Sequence, residues 1–240
     1  MRIIVARSPK ELGEEAARLA AEALCGAVRK KGWARMALAT GASQLETLSA
    51  LSRAKIPWQQ VELFQVCEHA GLEENDPGSC RRALRERFAK KVALAKAHYL
   101  DGTEENARVI SREIRRAPLD VLLLGIGDQG QIGFNAAPAD FETDDAYVRI
   151  GETITMTVQQ MMCAAKIVAC APYGLHAENV YEIMTHRLTE SLPATALKLH
   201  GDFDLLLDRD SAAKIGVELA ARYNPELEMY RIMGSDQTEE

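Results

Sequence analysis

The chain has 240 residues, of which 47% are apolar, and a formal net charge of −6. That apolar fraction can fill a core and argues against intrinsic disorder, while the acidic balance argues against sequence-independent nucleic-acid binding, which favours a basic face. No apolar run approaches the roughly 20 residues that cross a bilayer, and the amino terminus lacks the apolar stretch of a signal peptide. We therefore expect a cytoplasmic protein with no nucleic-acid or membrane partner, organised as one domain over residues 1–240.

Short apolar or β-branched runs alternate with segments of helical periodicity along the chain. The first strand is predicted at Arg2–Ala6, and Ser8 and Gly32 are placed to begin and end the helix that follows it. Later strands are predicted at 36–39, 61–66, 121–125, 166–171 and 204–207, and helices after 43, around 81–90 and at 103–116, 177–187 and 211–223. This alternation predicts an α/β fold with an open, mostly parallel, Rossmann-like sheet and helices on both faces.

Ligands of such sheets bind beyond the carboxyl ends of the strands, and three of those ends carry unusual residues. The first reads Thr40-Gly41-Ala42-Ser43 and is followed by a helix. Its backbone N–H groups and the helix dipole are suited to an anion such as a phosphate. An ordinary capping box of Ser43 with Glu46 explains the same residues, so the pattern leaves both interpretations open.

The second strand end places a thiol, a carboxylate and an imidazole in consecutive positions, Cys67, Glu68 and His69. A cysteine with a histidine base can form a nucleophile. Catalytic pairs of this kind usually meet through the fold rather than as neighbours in sequence, however, so the pattern favours a buried cysteine beside two polar loop residues.

The third strand end is rich in glycine, and Gly125, Gly127 and Gly130 match the GxGxxG pattern of dinucleotide-binding loops. The residues after it lack helical periodicity and soon reach Pro138, so we discount a nicotinamide cofactor. The five cysteines form no CxxC pair, and no two histidines have the i, i+4 spacing of metal ligands. We therefore predict no cofactor, no metal and no disulfide framework.

Taken together, these segments resemble the glucosamine-6-phosphate deaminase (isomerase) family, with 6-phosphogluconolactonase as its nearest relative. The matching stretches are ATGASQ (39–44), CEHAGL (67–72), NDPGSC (75–80), GIGDQGQIGFNAAP (125–138), ITM (154–156) and LKLH (197–200). The resemblance implies a small-molecule phosphosugar ligand, and it allows a homo-oligomer. It implies phosphate or substrate binding at Thr40, Gly41, Ala42, Ser43, Gly127 and His176.

The family reaction implied by the resemblance moves a proton between C1 and C2 of an amino sugar phosphate and then releases ammonia. The Asp that serves as base falls on Cys67, and the Asp, His and Glu of the third motif fall on Gln129, Gln131 and Ala136. The resemblance thus places the family's catalytic positions at Cys67, Glu68, Gln129 and Gln131, and we expect this set to be degenerate. Because each general acid or base contributes about 10²–10⁴-fold, losing the set should abolish the family reaction.

Two further departures affect binding of the phosphate. The family's phosphate-binding Lys falls on His176, and the lid segment before residue 154, with its Arg, is shortened to residues 144–153. Our leading hypothesis is a sugar-phosphate binding or regulatory protein of amino sugar metabolism that has lost the family's chemistry. The alternative is an active isomerase or hydrolase on another phosphosugar that uses Cys67 with Glu68 or His69. A purely structural or oligomerisation role is the third reading.

Overall fold

The computed structural model describes residues 1–216 and 230–232. Within that part of the chain, eight strands form a sheet in which every neighbouring pair is parallel, and three form a second, antiparallel sheet. The strands are β1 Arg2–Ala6, β2 Ala34–Leu38, β3 Val61–Gln65, β4 Cys67–His69, β5 Lys96–His98, β6 Val121–Gly125, β7 Tyr147–Ile150, β8 Thr153–Met156, β9 Ile167–Ala171, β10 Phe203–Asp208 and β11 Tyr230–Ile232. The predicted α/β class with a mostly parallel sheet is confirmed.

The helices begin and end where their capping residues allow. They are α1 Pro9–Lys31, α2 Leu45–Leu51, α3 Cys80–Arg87, α4 Glu104–Ile114, α5 Val158–Met162 and α6 Ala177–Thr185. The Ser8 side chain accepts from the N–H of Glu11 at the start of α1, and Gly32 ends it with a left-handed φ of 82°. Such a conformation suits glycine because it has no Cβ.

Apolar residues alternate between the two faces of the large sheet, and helices cover both. On β6, Leu122 and Leu124 belong to the core beneath α4, α5 and α6, while Val121 and Leu123 belong to the core beneath α1, α2 and α3. The sheet is thus buried on both sides, as the unbroken apolar run of β6 predicts.

The order of the strands reverses between β2 and β6. The large sheet reads β11-β1-β10-β9-β6-β2-β3-β5, so the chain adds β3 and β5 on one side of β2, then crosses back to β6, β9 and β10 on the other. Such a reversal leaves a crevice at the carboxyl ends of the two strands, where ligands of open α/β sheets bind. The loops after β2 and β6 are two of the three that the sequence singled out.

The three-stranded sheet β4-β8-β7 is absent from the sequence prediction. Residues 144–153, predicted to be the remnant of a lid, contain β7 and the turn into β8. The prediction of a shortened lid, like that of one domain over the whole chain, stays a prediction. Arg149 lies on β7 and donates to the carbonyl of Gly151 at 3.0 Å.

The helix predicted at 211–223 is wrong in its first part. Residues 211–214 form a turn, in which the N–H of Ser211 donates to Asp208 Oδ1 at 2.8 Å. The rest of that predicted helix lies outside the described residues, apart from Ile215 and Gly216, which have no regular structure.

Candidate functional site

A cleft of about 330 Å³ opens at the carboxyl ends of β2, β6 and β9, beside the point where the strand order reverses. Small-molecule sites commonly have volumes of about 300–1,000 Å³. Four segments of the chain contribute its walls: Ala39, Gly41, Ala42, Ser43, Cys67, Gly125, Ile126, Gly127, Asp128, Gln131, Gly133, Tyr173, Leu175 and His176.

The loop after β2 presents donors to this cleft. The backbone N–H groups of Gly41, Ala42 and Ser43 have no acceptor among the described residues, nor has the Ser43 hydroxyl. The predicted capping box of Ser43 with Glu46 does not form, because the short 3-10 turn begins after Gly41, which makes no side-chain cap. The donors of the loop are therefore left for a ligand.

Two contacts fix this loop against β6. The buried Gln44 side chain donates from Nε2 to the Leu124 carbonyl at 2.8 Å, and a Cβ on Gly125 would lie only 1.8 Å from Ser43 Oγ. The position of the serine hydroxyl therefore depends on the absence of a side chain at Gly125. Thr40 turns away: it is 7% exposed, and its hydroxyl contacts Cys80 instead of lining the cleft.

The glycine-rich loop after β6 is a compact turn rather than a helix start. The N–H of Gly127 donates to the Gln131 carbonyl at 2.9 Å, and the side chain of Asn135 holds the far end through the carbonyls of Ile132 and Met156, both at 2.8 Å. As the sequence predicts, no helix directly follows this loop.

The two glutamines of this loop differ in placement. Gln131 lines the cleft, and its amide is used locally: Oε1 accepts from the N–H of Gln129 at 2.9 Å, and Nε2 donates to Asp128 Oδ1 at 3.2 Å. A Cβ on Gly127 would lie 2.2 Å from that amide, so Gly127 lets Gln131 fold over its backbone. Gln129 is exposed and does not line the cleft.

Cys67 lines the cleft from β4, and its thiol interacts with a second thiol, that of Cys80, at the start of α3. That interaction and burial raise the pKa of Cys67 well above its ordinary value. The same contact lowers the pKa of Cys80, against the opposing effects of burial and of Glu68. At neutral pH Cys67 is therefore a neutral thiol, which makes it a poor base.

Glu68 is buried and faces away from the cleft. Its carboxylate accepts from Ser79 Oγ at 2.9 Å and from the N–H groups of His69 (2.8 Å), Cys80 (2.9 Å) and Arg81 (2.6 Å). These bonds join β4 to the amino-terminal turn of α3, where a negative charge is also favoured by the helix dipole. Glu68 thus has a structural role, because these hydrogen bonds would break if its side chain moved to contact a ligand.

His69 packs its ring against Phe134, with centroids 4.8 Å apart.

His176 approaches the cleft from the other side, at the amino terminus of α6. It is only 7% exposed, yet its Nδ1 has no hydrogen-bond partner among the described residues. Burial lowers the pKa of His176, although the nearby carboxylates of Asp128 and Asp208 work against that shift. A buried imidazole nitrogen without a partner is costly unless a ligand or water satisfies it.

Tyr173, between β9 and His176, is a residue that sequence reasoning missed. Its φ of 76° with ψ of 144° is a backbone conformation suited to glycine, and its side chain lines the cleft with 37% of its surface exposed. Asp208 Oδ2 accepts from its N–H at 2.8 Å and holds the strained turn in place. Strain of this kind collects at functional sites.

Replacing Tyr173 with glycine is expected to raise the free energy of unfolding by about 1 kcal/mol. The strain released is about 1–3 kcal/mol, and the added chain entropy of glycine offsets about 0.5–1 kcal/mol of it. Urea unfolding of wild type, Tyr173→Gly and Tyr173→Ala checks this, since alanine removes the ring but keeps the strain. A glycine variant no more stable than the alanine variant would show that the turn is unstrained.

Three acidic or imidazole groups cluster elsewhere. Glu62, His98 and Glu113 have ligand atoms within 4.8 Å of one another. The sequence did not predict this cluster, because it contains only one histidine. Both carboxylates already form salt bridges, Glu62 with Arg35 at 2.7 Å and Glu113 with Arg116 at 2.8 Å. We interpret the group as an ion-pair network.

The model of the family "Glucosamine-6-phosphate isomerases/6-phosphogluconolactonase" matches residues 7–205. The chain belongs to this family. It is 26% identical to glucosamine-6-phosphate deaminase 1 of Bacillus subtilis (strain 168) over 245 aligned residues, covering 89% of this chain and 99% of that protein. It is 29% identical to the glucosamine-6-phosphate deaminase of Thermoanaerobacter sp. (strain X514) over 232 residues, covering 84% and 92%.

Solved structures show the same architecture. A monomeric glucosamine-6-phosphate deaminase superposes with a TM-score of 0.79 at 25% identity, covering 90% of this chain and 100% of its own. A 6-phosphogluconolactonase from Shewanella baltica OS155 superposes with a TM-score of 0.74 at 18% identity, covering 87% and 98%, which shows the shared fold. As a family member the chain is placed in sugar phosphate metabolism. In the described part, no helix has the length and apolar character that a membrane crossing needs.

Of the ten predicted site residues, seven line the cleft, namely Gly41, Ala42, Ser43, Cys67, Gly127, Gln131 and His176. Thr40, Glu68 and Gln129 do not. The structure adds three residues that the sequence did not single out: Asp128 and Tyr173 line the cleft, and Cys80 interacts with Cys67. Asp128 stood one position before Gln129 in the third motif and Cys80 ended the NDPGSC stretch, so both had a signal in the sequence.

Proposed function

We propose that this protein binds a phosphosugar, such as an amino sugar phosphate, in the cleft without carrying out the family's deamination. The observation that carries the proposal is the set of free donors on residues 41–43, which line the same cleft as His176, a residue whose buried Nδ1 has no hydrogen-bond partner among the described residues. A phosphate group would satisfy the donors of this loop, because its oxygens accept from N–H and O–H donors.

Each wall of the cleft has a part in this proposal. The phosphate lies against the N–H groups of Gly41, Ala42 and Ser43, the Ser43 hydroxyl and His176. The sugar extends over Gly127 towards Cys67 and Gln131. Thr40 does not line the cleft and affects it only indirectly, through its contact with Cys80. The names of the relatives, which include glucosamine 6-phosphate and 6-phosphogluconolactone chemistry, support this class of ligand.

The proposed loss of chemistry follows from the groups that the cleft offers. Cys67 is a neutral thiol because its pKa is raised, Gln131 does not titrate, and Gln129 and Ala136 lie outside the cleft lining. Among the residues that line it, Asp128 is the one carboxylate. A binding or regulatory role needs none of the missing acids and bases.

The alternative of a rewired enzyme stays a hypothesis, and the geometry works against it. It requires Cys67 to act with Glu68 or His69. Glu68 is held by the start of α3, His69 packs on Phe134, and Cys67 donates to Cys80. No hydrogen bond joins the side chains of any two of these three residues in the described part of the chain.

A thermal-shift panel tests the proposal. Glucosamine 6-phosphate at about 100 times its Kd should raise the melting temperature by about 5–10 °C, because binding adds about 2.7 kcal/mol to the native state. Inorganic phosphate should give a smaller rise and unphosphorylated glucosamine none. If glucosamine 6-phosphate, 6-phosphogluconate and inorganic phosphate all leave the melting temperature unchanged, the proposal is wrong.

Affinity for glucosamine 6-phosphate is expected to increase as the pH falls from about 8 to about 6, because acid favours the protonated His176 ring that a phosphate stabilises. Burial lowers the pKa of free His176, so the ring is neutral at pH 8. A bound phosphate favours the protonated ring, so binding takes up a proton and acid strengthens it. Isothermal titration of wild type and His176→Gln separates this effect from ionisation of the phosphate, which both proteins share. Equal pH dependence in the two proteins would contradict the role of His176.

The same shift has a consequence for stability without ligand. A histidine whose folded pKa is lowered binds its proton more readily in the unfolded chain, so it destabilises the fold as the pH falls through about 6.5. His176→Gln should remove that part of the loss.

A further inference from the structure

Cys67 and Cys80 come from different elements, and their thiols interact beside the cleft. Cys67 lies on β4 and Cys80 is the first residue of α3, and Cys80 packs against the apolar core cluster that contains Cys67. The Glu68 carboxylate, next in sequence to Cys67, holds the N–H of Cys80 at 2.9 Å and that of Arg81 at 2.6 Å. This clamp fixes the two segments, and so the two sulfurs, in proximity.

We propose that Cys67 and Cys80 form a dithiol site that hydroperoxides oxidise reversibly to a disulfide beside the cleft. Access is unequal: Cys80 is partly exposed, while Cys67 is buried and reached from the cleft that it lines. Cys80 is therefore the thiol that an oxidant meets first, and Cys67 is the partner that closes the bond.

The surroundings give Cys80 the greater thiolate character. Its pKa is lowered by the hydrogen bond with Cys67, with further help from Thr40 and the positive charge of Arg87, while burial and the Glu68 carboxylate oppose the shift. The pKa of Cys67 is raised, so it keeps its proton. Thiolates, not thiols, attack peroxides.

The reaction balances in two steps. The Cys80 thiolate attacks the terminal oxygen of a hydroperoxide, the O–O bond breaks, and the departing alkoxide or hydroxide takes a proton from solvent, which leaves Cys80 as a sulfenic acid. The Cys67 sulfur then attacks the Cys80 sulfur, the S–O bond breaks, and water leaves with the Cys67 proton. Two thiols are oxidised and one hydroperoxide is reduced.

Closure of this bond would change the cleft as well. Cys67 lines the cleft, and Cys80 contacts Thr40, which precedes the free donors of residues 41–43 in the loop after β2. A disulfide removes the contact with Thr40 and fixes Cys67 to α3. Weaker phosphosugar binding in the oxidised protein is the expected consequence, and this part rests on the proposed function.

The other cysteines provide internal controls. Burial raises the pKa of Cys170 to about 11, so it should stay reduced in the native protein. Cys163 is exposed at the end of α5. If exposure alone governed oxidation, Cys163 would react first.

The test treats the native full-length protein with hydrogen peroxide, blocks free thiols after denaturation and maps the peptides by mass spectrometry. We expect a disulfide between Cys67 and Cys80, reversed by dithiothreitol, with loss of the Cys80 thiol roughly tenfold or more faster than that of Cys163. The proposal is overturned if Cys163 or Cys25 is consumed while Cys67 and Cys80 stay reduced, or if Cys80 becomes a sulfinic acid with Cys67 still free.

Three serine variants sharpen the result. Cys163→Ser should leave the disulfide unchanged, and Cys67→Ser should let a sulfenic acid accumulate on Cys80, where dimedone traps it. Cys80→Ser should leave Cys67 unreacted. The wild-type map needs no variant, so it decides the matter even if a variant does not fold. Glucosamine 6-phosphate binding before and after oxidation is a separate arm: no binding to reduced protein contradicts the proposed function, and equal binding to both forms contradicts only the link between oxidation and the cleft.

Discussion

The protein is expected to release no ammonia from glucosamine 6-phosphate above the background of the uncatalysed reaction. The family resemblance implies acid–base groups at four positions, which in this chain hold Cys67, Gln129, Gln131 and Ala136. The pKa of Cys67 is raised, so its thiol is a poor substitute for the carboxylate implied there. With about 10²–10⁴-fold for each acid or base, the loss of two groups already lowers the rate by about 10⁴-fold or more.

An ammonia assay coupled to glutamate dehydrogenase measures this rate, with glucosamine-6-phosphate deaminase 1 of Bacillus subtilis as the positive control under the same conditions. Release of ammonia at a rate near that of the control would contradict the expectation. In that event Asp128→Asn is the decisive variant, because Asp128 is the carboxylate among the residues that line the cleft. Loss of turnover in it would show that the base has moved to that position.

Glu68→Ala is expected to lower the free energy of unfolding by about 3–5 kcal/mol, because several buried donors lose their acceptor together. Ser79 Oγ and the N–H groups of Cys80 and Arg81 all depend on this carboxylate. Their loss would loosen the start of α3 and its junction with β4. Glu68→Gln keeps the size and one acceptor oxygen, so an intermediate loss is expected.

Urea unfolding followed by circular dichroism measures this change. Glu73→Ala is the matched control, since Glu73 is an exposed carboxylate of the loop between β4 and α3 and surface substitutions usually change stability by no more than about 0.5 kcal/mol. A Glu68→Ala variant as stable as Glu73→Ala would show that the carboxylate does not clamp the loop, and would reopen a catalytic role for Glu68.

The long elements of the fold and the place of the cleft could be predicted from the sequence. Near-continuous apolar runs such as 121–125 identify strands buried on both faces, and local hydrogen bonds explain why Ser8 and Gly32 set the ends of α1. The three loops with unusual residues belong to one site because parallel strands share a carboxyl edge. The second sheet was missed because strands of three or four residues owe their existence to tertiary pairing rather than to their own pattern.

The direction of single side chains was beyond the sequence. Thr40 and Ser43 share a loop, yet only Ser43 lines the cleft. Glu68 and Cys67 are neighbours whose side chains leave a strand on opposite sides, so one lies in the cleft and the other caps a helix. Tyr173 was missed since a positive φ in a tyrosine has no sequence signature, and the pairing of Cys67 with Cys80 depends on how β4 and α3 meet.

Saturation-transfer NMR of glucosamine 6-phosphate in D₂O with the wild-type protein tests the central claim most directly, because it reports binding and proton abstraction together. We predict transfer of saturation to the sugar ring protons and no loss of the C2 proton signal. This is the result expected of a cleft that binds the phosphosugar but has no base to remove the C2 proton. Absence of saturation transfer, or exchange of the C2 proton for deuterium, would contradict that account.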